Sequence, residues 1–451
     1  MAEEIAATID NTAYPIPSLT GHERLCQRYA LHNEVHARPP EIMSPPLAIT
    51  HFVMLADAAQ QDSSRAHLAE LLRDHHLPPP EAQASHLRMD FGAFRLRWEL
   101  HTEFVTYTIL QPLDEAWVSR QELPQAMAAV PQAWLAKLPG ECLCSMHLWV
   151  LTAGQAQRRE LVREHLREDM LVGSTVLDGQ AEFFTDMALH PDGFSRALVF
   201  AESGLKNLSA RRLGRLVQRL LEIETYRMVA LLGLPTARAA ATLLTRGEAE
   251  LASLAQAIRT AQSEQEPELL DRLSHLAGEV ESHYASTHSR FSASNAYFGL
   301  VNRRITDIAE ARLEGLQTIR DFMDRRLTPA MKTCDWARRR QQALSERISR
   351  MSNLLRTRVE IEHQQSSQAL LAAMNKRQDL QLKLQRTVEG LSVAAITYYL
   401  VGLIAYLAKG ASALGWPLSP ETSSALAVPL VAVSVWWSLR KLHQKITQSH
   451  T

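Results

Sequence analysis

The stretch LSVAAITYYLVGLIAYLA, residues 391–408, constrains this 451-residue chain more than any other, because 18 residues pass without a charge. As a helix it would run ~27 Å, close to the ~30 Å hydrocarbon thickness of a bilayer. A second candidate, ETSSALAVPLVAVSVWWSL at 421–439, is strictly apolar only from Ala425 and contains Pro429, which membrane helices tolerate better than soluble ones. Lys376, Arg377, Lys383 and Arg386 precede the first run, Arg440, Lys441 and Lys445 follow the second, and the segment 409–420 between them holds only Lys409. The positive-inside rule predicts a transmembrane hairpin over 391–439 with a short outer loop. Both termini, including a basic tail at 440–451, then lie in the cytoplasm. Lipid is the expected partner.

Upstream of the first run the pattern is helical. From Ala330 to Glu389 there is neither Pro nor Gly for sixty residues, ~90 Å if wholly helical, so a stalk helix over 330–390 is expected. Leu344, Ile348, Met351, Leu355 and Val359 keep a 3/4 spacing, as do Leu380, Leu384, Val388 and Leu391. The polar EHQQSSQ between them argues against one dry coiled-coil seam. The section 208–329 also reads as helices: Ala210 onward, a second to about Gln262, a third from Pro267 to His288, and a fourth from Ser292 toward Arg326.

The front of the chain differs. After a loose arm at 1–20, the segment 21–207 alternates strand and helix signals. PPLAITHFVML (45–55) reads as an apolar strand, and 56–76 as a helix. In DFGAFRLRWEL, Leu96, Trp98 and Leu100 alternate with Arg95, Arg97 and Glu99, the period-2 pattern of a strand with one solvated face. A turn at 101–103 leads to a second strand at 104–110. A helical stretch over 114–137 and the strand CLCSMHLWVLT follow, with Cys142, Cys144, Met146 and Leu148 expected together in the core. Three more strands are separated by Asp178-Gly179 and by HPDG, plausible antiparallel turns. The fold class expected is α+β: a front domain with a mixed or antiparallel sheet, a helical section, the stalk and the hairpin.

A formal net charge of −1 gives no basic excess for nucleic acid. Four cysteines, Cys26, Cys142, Cys144 and Cys334, form neither a disulfide framework nor a C-x-x-C pair. The acidic N-terminus has no apolar signal-peptide core. LHNEVHARPP (31–40) places His32 and His36 four apart. Glu34 lies two residues from His32, about 200° round a helix, so the metalloprotease geometry fails, and a helix C-terminus with His36 and Arg38 on its free carbonyls fits better. Glu34, His36 and Arg38 stay as candidate binding residues. Glu99, His101 and Glu103, on one strand face, are the other candidates. Arg215, Arg219 and Glu222 form an i,i+3/i+4 ladder of the kind that stabilises an exposed helix. The basic run RRRQQ (338–342) reads as solvated charge or an inter-subunit salt bridge. There is no P-loop, no G-x-G-x-x-G after a strand and no G-x-S-x-G, so no enzyme and no cofactor are expected.

NEVHARPP (33–40), RWELHTEF (97–104), GRLVQRLLEIETYRMVALLGLPTAR (214–238) and TVEGLSVAAITYYLVGL (387–403) together resemble the bacterial membrane-anchored family catalogued as domain of unknown function 3422. The resemblance implies an inner-membrane protein with a large cytoplasmic domain and carries over no catalytic residues. In architecture the chain is also similar to the CorA-type magnesium channels, pentamers whose long helices form a funnel and whose first span lines the pore. They carry Gly-Met-Asn at the outer end of that span, where this chain reads YLAKG (406–410), and Lys409 would repel a cation. That likeness implies a homo-oligomer, an ion channel for an inorganic cation or a degenerate relative, with Thr397, Tyr398 and Gly402 as candidate pore-lining residues. The alternative is a membrane-tethered scaffold or sensor without transport. Whether a metal sits anywhere stays open from sequence.

Overall fold

In a computed structural model the chain is described over residues 39–81, 84–119, 123–201, 208–412 and 419–448, with Arg28, Leu31 and His32. It divides into two compact units, 1–255 with 273–349, and 256–272 with 350–451. The class is α+β, with a mixed sheet first and long helices after it.

Among the described residues, the first unit is built on nine strands. These are β1 Leu47–Leu55, β2 His86–Asp90, β3 Arg95–Leu100, β4 Phe104–Pro112, β5 Glu141–Leu151, β6 Val172–Val176, β7 Ala181–Thr185, β8 Ser195–Ala201 and the two-residue β9 Ala311–Arg312. They lie in the order β2-β3-β4-β1-β5-β8-β7-β6-β9. Every pairing is antiparallel except β5 with β8. Asp178 and Gly179, read as a turn from sequence, both take positive φ (58° and 84°) between β6 and β7.

Helices cover both faces of this sheet. On one side α1 (Ala58–Asp74) and α4 (Gln155–His165) pack on Leu96, Trp98, Tyr107, Trp149 and Phe200. Asp57 starts α1 by accepting from the Gln60 amide while the Gln60 side chain accepts from the Asp57 amide, a reciprocal cap. On the other side α5 (Ala210–Leu231) lays Leu213, Leu216, Val217 and Leu220 over Ile49, Met146, Leu148, Phe183 and Val199. The approach is close. A Cβ on Gly214 would stand 1.7 Å from the carbonyl oxygen of Glu41, so only glycine fits there. Farther along, α6 (Gly233–Thr260), α7 (Glu266–Asp307) and α8 (Ile319–Ser412) bury Leu244, Leu276, Val280 and Leu344.

Several expectations need correction. The stretch 114–137 is not one helix: among its described residues only α2 (Glu115–Ser119) and α3 (Gln132–Leu135) are α-helical. Pro124 and Pro131 lie within the stretch, and a residue before proline avoids the helical region. The expected separate helices near 267–288 and 292–326 are one helix, α7, to Asp307, then a break. There the chain turns through Ala309 (φ 50°) and Gly315 (φ 77°) and adds β9 beside β6. The Glu310 carboxylate closes the break, accepting from the Ile319 and Arg320 amides at 3.0 Å and from the Ser174 hydroxyl at 3.0 Å. The stalk helix therefore begins at Ile319 and carries Pro329 inside it. Cys142 is exposed, whereas Cys144 is buried, because the register slips by one residue at Val53/Met54. In RRRQQ, Arg340 pairs within the chain, with Glu248 at 2.6 Å.

In the second unit, buried Glu266 at the start of α7 meets Arg358 at 2.6 Å. The remainder of α8, and α9 (Pro420–Gln448) with Pro429 inside it, are helical as the two apolar runs predict.

Candidate functional site

The face of β3 expected to meet solvent is covered. Arg97 and Glu99 are 7% exposed each, because α5 lies over them and presents polar side chains of its own. Successive register pairs align His51 with Thr108, Thr108 with Arg97, and Thr106 with Glu99 on that face. Opposite them Gln218, Glu222 and Thr225 recur at helical spacing along α5. Between the two layers is a cavity of about 250 Å³, lined by these residues with His101, Leu221, Tyr226 and Arg304.

His51 sits at its base. Its Nε2 meets the Thr225 hydroxyl at 3.0 Å and its Nδ1 meets the Thr108 hydroxyl at 2.8 Å. Thr225 already donates its one hydroxyl proton to the Leu221 carbonyl at 2.8 Å, so it can only accept from His51. The proton therefore rests on Nε2, and Nδ1 accepts from Thr108. Burial, then the nearby Arg97 and His101, push the His51 pKa down to about 3, so the ring is neutral at physiological pH.

The charged residues pair off. Arg97 Nη2 donates to Glu99 Oε1 at 2.6 Å. Arg304 Nε donates to Glu222 Oε2, Gln218 donates to Glu222 Oε1 at 2.9 Å, and Arg304 Nη1 reaches Asp307 at 3.2 Å. Burial alone would lower the pKa of Arg304, but Glu222 and Asp307 raise it. Of the ladder read from sequence as an exposed helix face, Glu222 is part of the cavity wall, while Arg219 Nη1 donates to the Asp307 carbonyl at 2.8 Å.

Of the residues expected from sequence, Glu99 and His101 line this cavity. His101 also stacks on Phe104, with ring centroids 4.3 Å apart. Glu103 does not line it; it forms a two-pronged pair with Arg290 at 2.6 and 2.9 Å. Burial, with Glu103 nearby, drives the Tyr297 hydroxyl up to about 12. Glu34, His36 and Arg38 lie outside the described residues. His51, Arg97, Thr106, Thr108, Thr225 and Arg304 were not anticipated. A histidine within an otherwise apolar strand was the available signal. No group of three or more His, Cys, Asp and Glu side chains suited to a metal ion occurs among the described residues.

The family model described as "Protein of unknown function (DUF3422)" matches residues 23–446. The chain belongs to this family. No curated protein and no solved structure matches it. Among its described residues this DUF3422 member has two helical stretches long and apolar enough to cross a membrane, Ala210–Thr260 and Ile319–Ala411. In the first, 33% of the apolar window is buried; in the second, none is. Thr397, Tyr398 and Gly402 lie in the second. The Thr397 hydroxyl donates to the Val393 carbonyl at 2.7 Å, Tyr398 is exposed, and no atom stands within 4 Å of a Cβ placed on Gly402.

Proposed function

We propose that the chain is a membrane-tethered sensor: its first unit takes up a small polar ligand and its C-terminal helices hold it to a bilayer. The cavity between β1, β3, β4 and α5 carries this reading. Burying charged side chains is costly unless they are paired, and a domain that needed only a packed core would fill this space with apolar groups.

The anchor rests on separate features. Tyr398, Tyr399, Leu403, Tyr406 and Leu407 on α8, and Leu426, Leu430 and Val433 on α9, are large and exposed. At the end of α9, Arg440 lies over the Trp436 ring and Lys441 over the Trp437 ring, each at 5.0 Å, as aromatic and basic side chains pair at a membrane interface. The reading places the protein in the bacterial inner membrane as a two-span chain with cytoplasmic termini.

A second reading is a homo-oligomeric conduit of CorA-like architecture, a pentamer in the fullest form of that likeness. The small residues Ser392, Ala394, Ala395, Gly402 and Ala405 of the first apolar run favour it, since such residues let membrane helices approach. Two measurements decide. Full-length protein should stay with membranes through alkaline carbonate, and liposomes containing it should show no flux of monovalent or divalent cations. Recovery in the carbonate supernatant overturns the anchor. Sustained cation flux, with a detergent-corrected mass of several copies, overturns the tether in favour of the conduit.

A further inference from the structure

The hydrogen bonds around the cavity are unbalanced in one direction. Its acceptors are already supplied: both oxygens of Glu222 and Oε1 of Glu99 take hydrogen bonds from neighbouring side chains. Its donors are not. Arg97 Nε and Thr106 Oγ1 have no hydrogen-bond partner among the described residues, although the two residues are only 7% and 3% exposed. Both belong to the cavity lining.

The charged lining residues balance, Arg97 and Arg304 against Glu99 and Glu222; beyond them Arg88 tips the balance, with the Glu41 carboxylate acting against it. Arg88 of β2 stands directly opposite Arg97 of β3, and its Nη2 is a further buried donor without a partner. Like charges facing each other across paired strands repel, and burial together with Arg97 lowers the Arg88 pKa. A buried guanidinium with an unused N–H calls for an acceptor, and a negatively charged one makes the stronger bond.

Resting on the sensor reading above, we infer that the cavity binds a small molecule through its oxyanion, a carboxylate or phosphate group, held by Arg97 and Thr106 beside Arg88. The paired carboxylates Glu99 and Glu222 fix the arginines and leave the added negative charge to the ligand.

The test uses full-length protein in neutral detergent, with inorganic phosphate, acetate and succinate as probes and sodium chloride at matched ionic strength as the reference. At least one probe should raise the thermal unfolding midpoint saturably and give a matching calorimetric isotherm. Which probe acts separates phosphate from carboxylate recognition. Thr106→Val, which removes only an unpartnered hydroxyl, should leave the ligand-free midpoint unchanged or higher and weaken the probe about tenfold. Arg88→Gln, at a half-buried position, should weaken it several-fold. The inference is overturned if no probe exceeds chloride, or if a probe acts equally on wild type and Thr106→Val. Carbonate extraction and cation flux report on the tether independently, so loss of oxyanion binding and loss of the sensor reading are separate results.

Discussion

Acidification from pH 7 to pH 5 should destabilise the first unit by an amount that two buried histidines set. His51 is 4% exposed and His147 is fully buried. Burial leads in lowering both, His51 to about 3 and His147 to about 4, from an ordinary value of 6.5. In the unfolded chain each takes up a proton near pH 6.5, whereas in the folded chain each stays neutral until much lower pH. Stability is therefore fully present above 6.5 and lost as pH falls toward 3–4. One pH unit of this mismatch is worth about 1.4 kcal/mol per histidine. Over pH 7 to 5 each contributes about 1.9 kcal/mol, so the pair contributes about 4 kcal/mol. The window lies above the range in which carboxylates such as Glu248 and Asp321, themselves lowered, begin to protonate. Urea unfolding of full-length protein in neutral detergent, followed by tryptophan emission, reads the change. Trp98, Trp134 and Trp149 are buried in this unit and report on it. His51→Gln, whose amide can still bridge two hydroxyls, should remove about half of the pH dependence, and His147→Gln the other half. A free energy flat between pH 7 and 5, or a slope untouched by either substitution, would refute the account.

Other perturbations have equally definite outcomes in the same unfolding assay. Gly214→Ala forces a methyl onto the Glu41 carbonyl and should cost about 2–3 kcal/mol, despite alanine's better helix propensity. Ser64→Ala strips the partner from the Trp98 indole N–H at 2.8 Å and from the Tyr107 hydroxyl at 2.7 Å, and should cost about 2–4 kcal/mol. Arg227→Met leaves the Glu224 carboxylate, 3% exposed, without its two-pronged partner at 2.6 and 2.7 Å. A loss of about 3–5 kcal/mol is expected. A midpoint unchanged from wild type would refute any one of these.

The sheet was legible wherever a strand carried its own pattern: the alternation of Leu96, Trp98 and Leu100 and the Asp178-Gly179 turn each mark local structure. The cavity was not, because its two walls are remote in sequence. Arg97 and Glu99 read as solvated since nothing within ten residues covers them. What does cover them is Gln218, Glu222 and Thr225, more than a hundred positions later, at i, i+4 and i+7 on α5. That polar stripe runs beside the apolar one formed by Leu213, Leu216, Val217 and Leu220, and a helix with two inward stripes cannot be told by spacing from one with a wet face. The break at 308–318 was hidden for a related reason. Glu310, the residue that caps α8, is an ordinary acid in a helical composition until Ser174 and the Ile319 amide are brought to it.

The sheet ends in two different ways. One border is β9, only two residues long, and the other is β2, whose HLRMD alternates His86, Arg88 and Asp90 with apolar residues. Among the described residues, neither border offers the long, uncharged ribbon that another chain could extend by strand addition. Copies of this protein, if they gather, should meet through helices, and crowding them in a membrane patch should not seed β-rich aggregates from the folded state.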